Sequence, residues 1–188
     1  VAELPEEIFL NYVLFHRVNE EEIAPCRTFF RREIGERTEG MSFREAALEV
    51  NYWCAQEATY HCTDDRTLSA LAVYRRGNGR CGEESVFTVN ALRSVGVPAR
   101  QVYAPKWSHC DDNHAWVEIW CDGEWYFLGA CEPEEILRAV CLSELYARSG
   151  QMSSPMRKKP VSVFLIAPFS QRNGLTETGR LHKIEYHM

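Results

Sequence analysis

One cysteine of the sequence stands where catalytic chemistry would need it. Cys81 lies in the stretch "NGRCGEES" (residues 78–85), between Arg80 and Gly82, directly before a run with helical periodicity. The start of a helix carries unpaired N–H groups and partial positive charge, and both stabilise a thiolate relative to a thiol. We therefore predict that Cys81 is a nucleophile with a pKa below that of a free thiol. The same N–H groups would stabilise an oxyanion, and small residues beside the sulfur, Gly79 and Gly82, would let a substrate backbone approach.

A thiolate nucleophile needs a base, and His114 is the candidate. It opens the alternating stretch "HAWVEIW" (residues 114–120), which follows the acidic stretch "HCDDN". Such alternation predicts a β-strand with Trp116 on the same face as His114. Together, Cys81 and His114 predict a catalytic pair beside an aromatic wall. Taken alone, each also fits a structural role, Cys81 as a buried thiol and His114 as an ordinary residue at a strand start.

Helices come first in the chain. Apolar residues recur at helical spacing over four segments, at about 5–18, 25–37, 42–54 and 82–95. The third begins with the capping box "SFRE", which has Ser42 at the N-cap and Glu45 three residues later. The stretch at 61–80 lacks this periodicity, and we predict irregular structure there.

Strands follow the helices. The period changes to two after Gly96, and strands are predicted over 97–105, 114–120 and 124–130, with another beginning near 161. The pair Asp122-Gly123, between the second and third of these, is the strongest short signal for a hairpin turn. Helices followed by strands predict an α+β fold with an antiparallel sheet.

Composition and charge exclude several classes of function. The chain has 188 residues, 45% of them hydrophobic, which is enough for one domain with a sizeable core. Its net charge of −6 argues against binding to nucleic acid. No apolar run approaches the roughly 20 residues of a membrane span. The eight cysteines include no C-x-x-C pair, which argues against a structural zinc site. Most are expected to be small buried hydrophobic residues, although their even number leaves disulfides open.

Residues from about 50 to 135 resemble the transglutaminase-like superfamily, in its branch of bacterial candidate cysteine proteases and peptide N-glycanases. Three motifs carry the resemblance in the same order: Cys81 at a helix start, "GVPAR" at 96–100 leading into a strand, and "HAWVE" at 114–118. The resemblance implies a papain-like core, in which the helix that bears the Cys packs on an antiparallel sheet that bears the His. It also implies an Asp on the next strand, which would orient the imidazole.

The sequence departs from the family at that Asp. The expected position, four residues after Trp125, holds Gly129. A two-residue turn at Asp122-Gly123 would place Gly129 opposite Trp116 and diagonal to His114, where a carboxylate could orient the ring. Gly129 has no side chain to do so.

Glu132 is the nearest acid after that strand. If the chain leaves the sheet at Cys131, the longer side chain of Glu132 would reach the imidazole, and we name it as the candidate third catalytic residue. The alternative is that Glu132 is a solvated turn residue. Asp111, Asp112 and Asn113 precede the strand and are weaker candidates. Without an orienting residue, the site would act as a Cys-His dyad.

Three classes of function remain open. The first is a thiol-dependent acyl-transfer enzyme that acts on amide bonds of a peptide, protein or peptidoglycan-type substrate, as a protease, amidase, deamidase or transglutaminase. It would need no cofactor and no metal. The second is a catalytically degenerate member that serves as a binding module. The third is a divalent metal site in the loop "HCDDNH" at 109–114.

Trp107, at the end of the first predicted strand, could line the substrate cleft together with Trp116. A transglutaminase-like domain is predicted over 1–155, helical to about 95 and sheet from about 97 to 135. Residues 156–188 would be a strand extension or the start of a following domain, and a larger multidomain parent chain is expected. Bacterial relatives of this kind are often exported, while the residues themselves indicate no compartment.

Overall fold

The computed structural model describes residues 4–62, 67–105 and 113–132, together with the backbone of three strands beyond them. The helices are α1 (Glu6–Phe9, continued by a π-helical turn, Leu10–Leu14), α2 (Arg27–Thr38), α3 (Phe43–Glu57), α4 (Ala70–Arg76) and α5 (Cys81–Ser94). The strands are β1 (Thr59–Tyr60), β2 (Asn78–Gly79), β3 (Ala99–Ala104), β4 (His114–Cys121), β5 (Glu124–Gly129), β6 (Leu137–Arg138), β7 (Ser162–Ile166) and β8 (Leu181–Glu185). Across these residues, every helix is too short or too polar to cross a membrane.

The predicted helix signals are confirmed where caps define them. The Ser42 hydroxyl accepts from the Glu45 backbone N–H at 3.3 Å, and the Glu45 carboxylate accepts from the Ser42 N–H at 2.9 Å, which is the predicted capping box at the start of α3. Helix α5 ends before Gly96, whose φ of +86° is a conformation that glycine adopts without strain. The first helix is shorter than predicted, since its last turn ends at Leu14.

Helix α4 lies where irregular structure was predicted. The side chain of Ser69 caps its start by accepting from the Ala72 N–H at 3.4 Å, and Gly77, at φ +71°, ends it. The helix has seven residues, two turns, and buries only Ala70 and Val73. So short a segment shows too few apolar positions for its periodicity to be recognised.

Six antiparallel strands form the main sheet, in the order β6-β5-β4-β3-β7-β8, and β1 and β2 form a separate parallel pair. Helix α5 contacts strands β3 and β4 and helices α2, α3 and α4. Every residue of α5 from Glu83 to Ser94 is buried. The predicted α+β architecture, with a helix that begins at Cys81 packed on an antiparallel sheet, is therefore confirmed.

The hairpin turn between β4 and β5 has the predicted form. Asp122 and Gly123 have φ values of +52° and +87°, as a type I′ turn requires. From the turn, pairing proceeds in the predicted register as far as Glu118, which lies opposite Phe127.

Beyond that pair, the predicted register is wrong. A β-bulge between Glu118 and Val117 places Val117 opposite Gly129, so that Leu128 is the extra residue and Gly129 does not lie opposite Trp116. Gly129 has a φ of +82°, in the left-handed region that favours glycine. A bulge depends on such local backbone geometry, which the two-residue alternation of side chains does not encode.

A buried ion pair joins two of the sequence motifs. Arg100, the last residue of "GVPAR" on β3, pairs across the sheet with Glu118, the last residue of "HAWVE" on β4. Arg100 Nη2 lies 2.7 Å from Glu118 Oε2, and both side chains are largely shielded from water. The Arg100 guanidinium also stacks 3.8 Å from the ring centroid of Trp125. These contacts fix β3, β4 and β5 relative to one another.

Candidate active site

Cys81 is the first residue of α5, and the chain before it is held by Glu83. The buried Glu83 carboxylate accepts from the backbone N–H of Arg80 at 3.0 Å and of Leu68 at 3.2 Å. A Cβ at Gly79 would lie 2.9 Å from the Glu83 Cβ, closer than side-chain atoms pack. Gly79 is therefore needed to let the chain enter the helix beside Glu83, which is a different reason from the predicted access of substrate.

Gly82 fits the predicted role better. A Cβ placed there would meet nothing within 4 Å, so the space next to the sulfur is open on this side. The Gly82 carbonyl accepts from the side chain of Gln101 on β3 at 3.0 Å, and Gln101 also donates to the Ser85 hydroxyl at 2.6 Å. This buried glutamine ties the first turn of α5 to the sheet.

The Cys81 sulfur faces strand β4. The backbone N–H groups of Ala115 and Gly82 lie close enough to the sulfur to favour its thiolate form. Ala115 directly follows His114, so the sulfur reaches the end of β4 that carries the predicted base.

The electrostatics of Cys81 differ from the prediction. Burial raises the pKa of the Cys81 thiol above its ordinary value. The N–H groups of Ala115 and Gly82 act in the opposite direction, the charge of Glu84 raises the pKa further, and Arg80 lowers it. The helix start and Arg80 have the predicted effect, but desolvation outweighs them. The predicted lowering of the pKa is thus wrong in direction.

A surface cleft of about 370 Å³ contains Cys81, His114, Trp116 and Glu132. The rings of His114 and Trp116 lie on one face of β4, with centroids 6.1 Å apart and planes inclined by 28°. The structure therefore brings four of the five predicted site residues to one place. The fifth, Trp107, lies outside the described residues.

Glu132 lies next to the position where the family has its Asp. A Cβ built on Gly129 would be 3.6 Å from Glu132 Oε2 and 3.7 Å from the Glu132 Cβ. The carboxylate of Glu132 thus lies beside the space into which a side chain at residue 129 would extend.

Three residues of the site region were missed by sequence reasoning. Glu84, one turn after Cys81, lines the cleft, and burial, with the charges of Glu132 and Glu83, raises its pKa to about 7. Tyr60, an exposed aromatic residue on β1, also lines the cleft. Asn51, on α3, bonds the backbone at Glu132. Glu84 could have been found in the sequence because it lies only three residues after Cys81, in "GEES". Tyr60 and Asn51 are distant in sequence, and only the fold brings them to the site region.

No group of three or more His, Cys, Asp or Glu side chains in the described part of the chain is arranged to hold a metal ion. The loop at 109–112, on which the metal alternative depends, lies outside that part. The described cysteines are free thiols, namely Cys26, Cys54, Cys62, Cys81, Cys121 and Cys131.

The fold and the cleft define a class of α+β protein in which a cysteine at a helix start faces a histidine-bearing strand of an antiparallel sheet. Residues 30–130, more than half of the chain, match the family described as the transglutaminase-like superfamily. The chain belongs to this superfamily, as the three motifs indicated. The matched segment includes Cys81 and His114 and ends before Glu132.

A solved structure from a bacterium shares this fold. Calcium-bound LapG from Legionella pneumophila is 19% identical, with a TM-score of 0.52 over 82% of this chain and 83% of that chain. A candidate cysteine protease from Cytophaga hutchinsonii is 18% identical, with a TM-score of 0.47, and the match covers 60% of this chain and 40% of that one. The chain thus spans less than half of the Cytophaga protein. No curated protein matches the chain significantly.

Proposed function

We propose that this chain is a thiol-dependent acyl-transfer enzyme that acts on amide bonds, as a cysteine protease, amidase or transglutaminase. Cys81 is the nucleophile, His114 the general base, and Glu132 the residue that orients His114. One observation carries the proposal. Cys81, the first residue of a buried helix, lines the same cleft as His114 and Glu132, and its sulfur lies beside the backbone of Ala115, the residue after His114.

The raised pKa of Cys81 supports a role for His114 as the general base. A buried thiol stays protonated near neutral pH, so a base must remove its proton as the sulfur attacks the amide carbonyl. The new C–S bond places negative charge on the carbonyl oxygen, which N–H groups of the first turn of α5 stabilise. His114 then donates the proton to the departing amine. Water or a second amine resolves the thioester, which gives hydrolysis or transfer and regenerates the Cys81 thiol.

Glu132 supports His114 in this scheme. An imidazole that accepts a proton on one nitrogen needs an acceptor for the N–H of the other, and a carboxylate both fixes the tautomer and stabilises the imidazolium. The position of the Glu132 carboxylate beside Gly129 supports its use in place of the family's Asp.

The open cleft supports an amide substrate of this class. An amide of a peptide, protein or peptidoglycan-type chain fits a site that is open to the surface and bordered by the aromatic rings of Trp116 and Tyr60. We propose Trp107 as a further wall of the cleft.

The test is alkylation of the native protein by iodoacetamide, with peptide mapping over a pH series. We expect His114 to accept the thiol proton as the sulfur attacks iodoacetamide, so that Cys81 reacts faster than Cys62, an exposed thiol that serves as the internal control. His114→Ala should slow the alkylation of Cys81 by about tenfold or more and leave the alkylation rate of Cys62 unchanged. If Cys81 reacts no faster than Cys62, and His114→Ala has no effect, the catalytic proposal is wrong.

A binding module without catalysis is the second candidate. Two observations favour it, the raised pKa of Cys81 and the glycine at the family's Asp position. In that case, Cys81→Ser would leave ligand binding intact, and the alkylation rate of Cys81 would not depend on His114. The same pH series therefore separates the two functions.

A further inference from the structure

We propose that Asn51 is a positioning residue that holds Glu132 at the catalytic site, an inference that rests on the proposed role of Glu132. Asn51 lies on α3 and is fully buried. Its Nδ2 group donates to the carbonyl oxygen of Leu128, at 3.2 Å, and to the carbonyl oxygen of Glu132. These two carbonyls bracket the turn by which the chain leaves β5. One side chain from a distant helix thus closes the turn that carries Glu132.

The turn needs such an external anchor. Gly129 and Cys131 have φ values of +82° and +53°, and the left-handed conformation is unfavourable for a residue with a side chain, such as Cys131. The sulfur of Cys131 lies 3.6 Å from the Thr88 hydroxyl on α5, which holds the side chain. Asn51 holds the backbone of the same turn from α3.

The chemistry of the amide makes Asn51 specific for this task. Two carbonyl acceptors require a group with two N–H donors, so the orientation of the amide is fixed and a carboxylate or an apolar side chain could not replace it. The Asn51 Oδ1 atom is buried and has no hydrogen-bond partner among the described residues. An unsatisfied buried acceptor destabilises the folded state. The stability of the core alone therefore does not account for an asparagine here.

The consequence for catalysis is geometric. The Glu132 carboxylate lies in the cleft next to Gly129 because the backbone of residues 128–132 is folded over Asn51. Without the two hydrogen bonds, the turn relaxes and the carboxylate moves away from His114. A displacement of about 1 Å in a catalytic group is enough to reduce a rate by about 10²-fold.

The test is a double-mutant cycle on the alkylation rate of Cys81 by iodoacetamide, in the full chain, with Asn51→Ala, Glu132→Gln and the combined variant. If Asn51 acts through Glu132, each single variant slows alkylation by about tenfold or more, and the combined variant is no slower than Glu132→Gln. The pH profile of Asn51→Ala should also match that of Glu132→Gln. Additive effects, or a wild-type rate for Asn51→Ala, would overturn the inference.

The matched control is Asn90→Ala. Asn90 is likewise a buried asparagine whose Nδ2 donates to a backbone carbonyl, that of Val86 at 2.9 Å, but it lies outside the cleft. It should lower stability without changing the alkylation rate of folded protein. If Asn51→Ala does not fold, Asn51→Ser keeps one donor and should give an intermediate rate. Loss of fold in both variants, with Asn90→Ala folded, would assign Asn51 to the core and overturn the inference.

Failure of the proposed function gives a different result. In that case, the wild-type alkylation rate of Cys81 would equal that of Cys62 and would not respond to His114→Ala, before any Asn51 variant is compared. Such a result overturns both proposals, whereas additivity between Asn51 and Glu132 overturns only this one.

Discussion

Glu84 lies three residues after Cys81 on α5, and its charge raises the pKa of the thiol. Its own pKa is raised to about 7, first by burial and then by the charges of Glu132 and Glu83. Glu84 thus changes from neutral to charged within the pH range in which a Cys-His enzyme works. We expect that change to tune Cys81.

Glu84→Gln should shift the alkylation profile of Cys81 to lower pH and speed the reaction at pH 8 by about two- to fivefold, since an uncharged neighbour lowers the pKa of the thiol. The variant should also raise the thermal stability at pH 8 more than at pH 5. The folded state binds a proton at Glu84 more tightly than the unfolded state does, so stability falls as the pH rises from about 4.5 to 7. Glu49→Gln, on the surface of α3, is the control. Slower alkylation of Cys81 in the Glu84→Gln variant would contradict this electrostatic role.

Gly129 and Glu132 share the space that the family gives to one aspartate. An Asp at residue 129 would have to adopt a φ of +82° and would place a second carboxylate about a van der Waals contact away from Glu132. In the register predicted from the sequence, a carboxylate at residue 129 could orient His114, but the bulge makes an aspartate there unfavourable.

We therefore expect Glu132→Gln to keep the fold and to reduce turnover of a cleaved substrate by several orders of magnitude, as a misoriented imidazole does in hydrolases. Gly129→Asp in the Glu132→Gln protein should not recover that loss, and it should lower the melting temperature. Steady-state kinetics and thermal unfolding measure both effects. Recovery of turnover in the double variant would show that the bulge accommodates an aspartate, and a change below about tenfold in Glu132→Gln would assign the orienting role to a backbone carbonyl.

The Arg100–Glu118 pair holds strand β3 to strand β4, which carries His114. Glu118→Gln leaves the Arg100 guanidinium buried without its counter-charge, which costs about 3–5 kcal/mol of unfolding free energy when a buried pair is broken. Urea unfolding measures the loss. The control is Glu49→Gln, because its pair with Arg37 is exposed and 3.6 Å long and should contribute less than about 1 kcal/mol. Equal losses of unfolding free energy in the two variants would mean that the buried pair stabilises the fold no more than the exposed pair does.

The elements and the site differ in how far sequence could predict them. Cys81 and His114 were predicted because each stands at the start of an element that local periodicity defines. The hairpin turn at Asp122-Gly123 was predicted by two residue types. The bulge at Leu128 was not, because it depends on φ at Gly129 rather than on any alternation. Sequence patterns thus located the elements and missed the irregularity between them.

The missed residues of the site share a physical reason. Asn51 precedes Glu132 by 81 positions, and only the packing of α3 behind β5 brings them together. The raised pKa of Cys81 likewise reflects burial by the whole fold, which no flanking residue reveals. Local sequence encodes which groups could react, while the assembled molecule determines their protonation and their alignment.

The C-terminal strands β7 and β8 form one edge of the main sheet. Strand β7 pairs with β3 at Val102 and Tyr103, and β8 pairs with β7, so β3 would become an edge strand without them. We predict that residues 156–188 extend the domain, and that a fragment of residues 1–155 melts at a lower temperature and self-associates through the bare edge of β3. Thermal unfolding and light scattering after size-exclusion chromatography measure these effects, with a chain of residues 4–188 as the control. A monomeric fragment with an unchanged melting temperature would instead mean that residues 156–188 begin a following domain.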